Sequence, residues 1–199
     1  MSALSAQISR ERALELLHEH NQEKFHIEHA LTVEGVMRYF AQEYDSENLD
    51  FWGLVGLLHD LDWEEFPTEE DHTIEAAKIL EAEGASPELI RAIQSHNSDC
   101  NSACPPPELF MEKILFATDE LSGLIGAAVL MRPSKSVMDF ELKSLKKKFK
   151  DKRFAAGCSR EVIRKGAEML GWELDELLER TIKAMQSFAP DKDTFVPAG

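Results

Sequence analysis

A histidine beside a carboxylate, delivered at the end of an apolar run, is what a metal site asks of its support. His59-Asp60 has that setting, near the end of Phe51–Asp62, FWGLVGLLHDLD. Phe51, Trp52, Leu54, Val55, Leu57 and Leu58 are too dense for a solvated surface. The apolar part is therefore expected to be buried and rigid, with its polar end facing a cavity. Other candidates sit at helix boundaries: His29 in a first turn, His72 at a start, His96 just past an end, and Asp119 within a helix. Each alone has an ordinary use as a cap or a satisfied surface group, which is the reading for His18, His20 and His26. Together they are a set that a helical bundle can turn inward as ligands. Imidazole with carboxylate suits zinc, iron, manganese, nickel or cobalt better than calcium.

The elements that must position these residues are helical. Ser9 is placed to cap a first helix carrying Ala13, Leu14 and Leu17. A second runs from His26 to about Gln42, with Ala30, Val33, Val36, Met37 and Phe40 on its inner side. The polar link 43–48 leads to the central segment, Phe51 to Leu61. An acidic loop follows, and His72 opens a helix that Gly84 is placed to end. Ser86-Pro87-Glu88 reads as a cap, a first-turn proline and a first-turn acid, for a helix ending at His96. A proline-rich loop precedes a helix that begins near Glu108 and includes Asp119. Arg132-Pro133-Ser134-Lys135 breaks it. Ser159 starts a helix ended by Gly171, and the last runs from Leu174 to about Phe188. No sustained alternation suggests strands. The expectation is an all-α domain over residues 1–189: a helical bundle with its metal-binding core at about 25–130, additional C-terminal helices at about 131–189, and a flexible tail at 190–199.

Composition narrows the function. With 43% apolar and 30% charged residues the chain is globular in type. Its formal net charge of −15 argues against general nucleic-acid binding and against anionic membranes, both of which draw on Lys and Arg. No apolar stretch approaches the ~20 residues of a membrane span. Three cysteines, an odd and sparse number, do not make a disulfide framework, so a reducing, cytoplasmic setting is expected. Cys100 and Cys104 read as free loop thiols, because no second pair completes a zinc site.

Taken in order, His29, His59-Asp60, His72, His96 and Asp119 resemble the H…HD…H…H…D pattern of the HD superfamily of metal-dependent phosphohydrolases. The local contexts EHALTVEGVM, VGLLHDLD, AIQSH and ILFATDEL agree. The resemblance covers about residues 25–130 and implies an HD-domain helical bundle. It implies that His29, His59, Asp60 and Asp119 hold one divalent metal. His72 and His96 would add a second, with Asp60 bridging. The activity implied is hydrolysis of a small phosphorylated compound, such as a nucleotide, by a metal-bound hydroxide.

The chain departs from the family pattern after the doublet. Many relatives continue it as HDIGK; here it reads HDLDW, so Trp63 stands where that lysine would be. Asp62 becomes the candidate for proton transfer beside the catalytic Asp60. There is no GYP motif, which weakens a cyclic dinucleotide assignment. The basic run Lys143–Arg153, KSLKKKFKDKR, reads either as a solvated helix face or as a cationic flap whose Lys148 and Arg153, with Lys135, bind phosphate. Two other functions share the pattern: a di-iron HD-fold oxygenase, and a non-catalytic regulatory HD module, which often lacks ligands that are all present here.

Overall fold

The computed structural model describes residues 4–189. α1 (Arg10–His20) starts at Ser9, whose hydroxyl accepts the backbone N–H of Arg12 at 3.2 Å. α2 (Lys24–Tyr44) is longer than its apolar stripe, and a 3₁₀ turn (Ser46–Asn48) links it to α3 (Leu49–Leu58). Every residue of α3 from Phe51 to Leu58 is buried, so it is a core helix and not an amphipathic one. α1, α2 and α5 (Pro87–Ser95) pack on it. The α2 contact is close because of Gly56: a Cβ there would lie 2.7 Å from the Val33 carbonyl oxygen and 2.9 Å from the Glu34 nitrogen.

α3 stops at Leu58, short of the expected Leu61, and the chain enters consecutive turns. In them the Leu61 N–H bonds the Leu58 carbonyl, and Asn21 Nδ2 donates to the Leu61 carbonyl at 3.0 Å. α4 (Ile74–Ala82) begins after His72 and not at it, because Thr73 takes a left-handed conformation at φ 65°. That is costly for a β-branched residue. Neighbours hold it: Asn97 Nδ2 donates to the His72 carbonyl at 2.9 Å, and Thr73 Oγ1 lies 3.3 Å from Cys104 Sγ. Gly84 ends α4 at φ 76°, and Ser86 Oγ accepts the Leu89 N–H to start α5, both as expected.

α6 (Phe110–Leu130) runs through Gly126 before the Arg132-Pro133 break. The chain divides inside it into two compact units, Met1–Leu115 and Phe116–Gly199. In the second unit α7 (Leu142–Lys150) and α8 (Arg160–Leu170) pack on α9 (Leu174–Phe188). Among the described residues every regular element is helical, so the class is all-α, and no helix is long and apolar enough to cross a membrane. The expected tail from Pro190 lies outside them.

Gly56→Ala is expected to destabilise the protein by about 1–3 kcal/mol, since the added methyl meets backbone and not a flexible side-chain end. Urea unfolding followed by far-UV circular dichroism reads the shift.

Candidate metal centre

The first unit gathers four imidazoles around one carboxylate. Asp60 Oδ2 lies 3.4 Å from His59 Nε2 and 3.8 Å from His29 Nε2. Its other oxygen, Oδ1, lies 3.4 Å from His72 Nε2 and 3.5 Å from His96 Nε2. The carboxylate thus divides its oxygens between two pairs of histidines, which come from α2, the end of α3, the approach to α4 and the end of α5.

The second nitrogen of three of these rings determines what the first can do. His59 Nδ1 donates to the Gly56 carbonyl at 2.8 Å, and His96 Nδ1 donates to the Ile93 carbonyl at 2.6 Å. A carbonyl only accepts, so each Nδ1 carries a hydrogen, and in the neutral ring it is Nε2 that presents the lone pair. His72 Nδ1 donates to Asp62 Oδ1 at 2.9 Å, with the same result. Consequently His72 Nε2 and His96 Nε2 face one another at 3.0 Å as two acceptors. Two acceptors at that distance need a cation or a shared proton between them. One ligand atom from each of Asp60, His72 and His96 lies within 4.8 Å of the others, and the same holds for His29, His59 and Asp60. The donor set therefore fits a metal.

The electrostatics agree. Burial alone would raise the Asp60 carboxyl; the imidazoles, His59 foremost, outweigh it and hold the group well below the usual carboxylate range. Burial would lower His72, but its bond to Asp62 and the charges of Asp60 and Asp62 raise it above its ordinary value. Asp60 keeps a quarter of its side chain exposed, so the cluster is open at one side.

Asp62 is fully buried, and both its oxygens are engaged: Oδ1 with His72, Oδ2 with the Ala76 N–H at 2.8 Å. These two bonds let Asp62 hold His72 and the start of α4 together. Its sequence neighbour Trp63 sets its ring edge-on to His72, with centroids 4.8 Å apart. Of the remaining candidates, Asp119 is carried by α6 in the second unit. Lys135 follows α6 in an exposed turn at φ 46°, Lys148 holds its ammonium 4.2 Å over the Phe154 ring, and Arg153 is 97% exposed. His20 and His26 pair with Glu65 and Glu64 outside the cluster. Cys104 and Cys158 are thiols outside any disulfide. Sequence reasoning missed Asn97, whose amide ties the His72 and Glu69 carbonyls to the end of α5. Its only signal was adjacency to His96.

Asp62→Ala should loosen His72 and weaken metal binding at the Asp60–His72–His96 position by about 10–100-fold. Calorimetric titration of the metal-free protein measures this; an unchanged affinity would mean that Asp62 serves only α4.

The HD domain family model matches residues 26–127, a span holding all six candidate ligands. Neither the curated proteins nor the solved structures gave a match. On the family match, which takes in half the chain, and on a histidine–aspartate cluster that fits a metal, the chain belongs to the HD domain family.

Proposed function

We propose that the protein is a metal-dependent phosphohydrolase, a phosphomonoesterase or phosphodiesterase, acting on a small phosphorylated compound such as a nucleotide. The observation that carries this reading is the divided Asp60 carboxylate, with a pair of imidazole nitrogens facing each of its oxygens. His29, His59, Asp60 and Asp119 are assigned to one divalent transition metal, and Asp60, His72 and His96 to a second. Asp119 enters because it stands at the last position of the family pattern. Metals held there supply Lewis acidity, which acidifies water and offsets charge on phosphoryl oxygens.

The chain's own residues hold that arrangement. His59 and His96 keep their Nε2 lone pairs turned inward through bonds to carbonyls, and Asp62 does the same for His72. Asp60 stays ionised and can bridge. Lys135, Lys148 and Arg153 are assigned to the substrate's phosphate, on the strength of the concentration of positive charge in an otherwise acidic chain.

The test is metal titration joined to phosphate release from nucleoside monophosphates and an aryl phosphodiester. The wild type should bind about two ions per chain, His72→Ala and His96→Ala about one each with a large fall in kcat, and Asp60→Ala almost none. Saturation at one ion, unaltered in both histidine variants, overturns the two-metal reading. Oxygen uptake without phosphate release would point to an oxygenase instead.

In the same assay, Lys148→Ala with Arg153→Ala should raise KM several-fold at unchanged metal content, as loss of uniform phosphate binding does. Unchanged kinetics would return the basic run to a solvated helix face.

A further inference from the structure

Phe25 occupies a position that neither packing nor the ligand set explains. It lies in the first turn of α2 and is 60% exposed, although burying a phenylalanine is worth roughly 1.5–3 kcal/mol. Single exposed apolar residues are ordinary, and the surface has others, among them Leu109 and Met131. Phe25 differs in what it touches. Its ring stacks on the His29 ring at 8° between planes, with centroids 6.2 Å apart, and His26 meets it edge-on at 5.8 Å. It is therefore an aromatic surface, open to solvent, in contact with one of the candidate metal ligands.

That surface is held in place. The Glu64 carboxylate accepts the backbone N–H groups of Gln22 and Glu23 at 3.0–3.1 Å and pairs with His26 Nδ1 at 3.0 Å. The start of α2 is thus tied to the turn that follows His59-Asp60, so Phe25 keeps its place beside the cluster. Trp63, the aromatic nearest the opposite histidine pair, is partly covered and turns its edge to His72. Phe25 is the ring with free area.

We propose that Phe25 is a stacking platform for an aromatic ring of the substrate, which selects phosphorylated compounds bearing a nucleobase over those bearing only a sugar or alkyl group. This rests on the phosphohydrolase reading for where the phosphate goes. Stacking on an aromatic side chain tolerates any base, because each presents a π face, and it leaves the phosphate end to the metal ligands.

The experiment compares adenosine 5′-monophosphate with ribose 5-phosphate on manganese-loaded protein, by calorimetric binding and by phosphate release. The wild type should bind the nucleotide about tenfold more tightly, Phe25→Ala should lose that preference without weakening ribose 5-phosphate, and Phe25→Trp should keep it. A wild type without preference, or a Phe25→Ala variant weakened equally toward both, overturns the platform. Metal content measured alongside separates loss of stacking from disturbance of His29, and equal loss of metal and of both ligands also overturns it. Binding preference without phosphate release overturns the hydrolase reading and leaves the platform standing.

Discussion

The site depends on a short hydrogen bond used twice: an imidazole N–H at a helix C-terminus donating to the carbonyl three residues back. His59 does this at the end of α3 and His96 at the end of α5. Helix ends leave carbonyls without intrahelical partners, and a ring at the C-cap supplies one. The same bond places the ring hydrogen on Nδ1 and frees Nε2 for a ligand. Capping and ligand orientation are therefore one interaction, and neither helix end can fray without moving a candidate ligand. Asp62 does the converse at an N-terminus. It accepts an N–H of the first turn of α4 and, with its other oxygen, holds His72. The ligand set inherits the stiffness of three helix ends.

The electrostatic consequence concerns the substrate. A chain of net charge −15 is a poor host for a phosphate unless the charge is inverted locally. The proposed ligand set supplies two carboxylates and four neutral imidazoles. Two carboxylates cannot neutralise two divalent ions, so the filled site would be cationic inside an acidic protein. The basic run in the second unit could then refine substrate affinity without being the principal source of positive field.

Helix starts and stops were legible because cap chemistry is local. Ser9, Ser86 and Ser159 each accept an N–H in their own first turn, and Gly84 and Gly171 take positive φ. The ligand residues were legible only as an ordered pattern, since no single histidine announces its partners. What escaped was settled by contacts distant in sequence. The left-handed Thr73, which delays α4 past His72, is held by Asn97 and Cys104. The engagement of Asp62 with Ala76 and His72 likewise depends on how the turn after the doublet folds back. Phe25 was invisible for a related reason: it precedes the expected helix start at His26, and sequence position cannot say that it lies against His29.

The departure from HDIGK to HDLDW has a physical reading in this geometry. Trp63 stands where the family's lysine would be. Here the equivalent stretch turns inward: Asp62 is buried on His72 and Ala76, Trp63 braces the same ring edge-on, and Glu64 ties the turn to the start of α2. Each of these residues rigidifies the surroundings of the cluster, and none is free to follow a phosphate. Under the proposed function, recognition of phosphate charge therefore falls to the metals and to the lysines beyond α6 rather than to this turn. Under the same proposal a rigid rim can discriminate by shape and by ring surface, the property that an exposed aromatic stacked on His29 supplies.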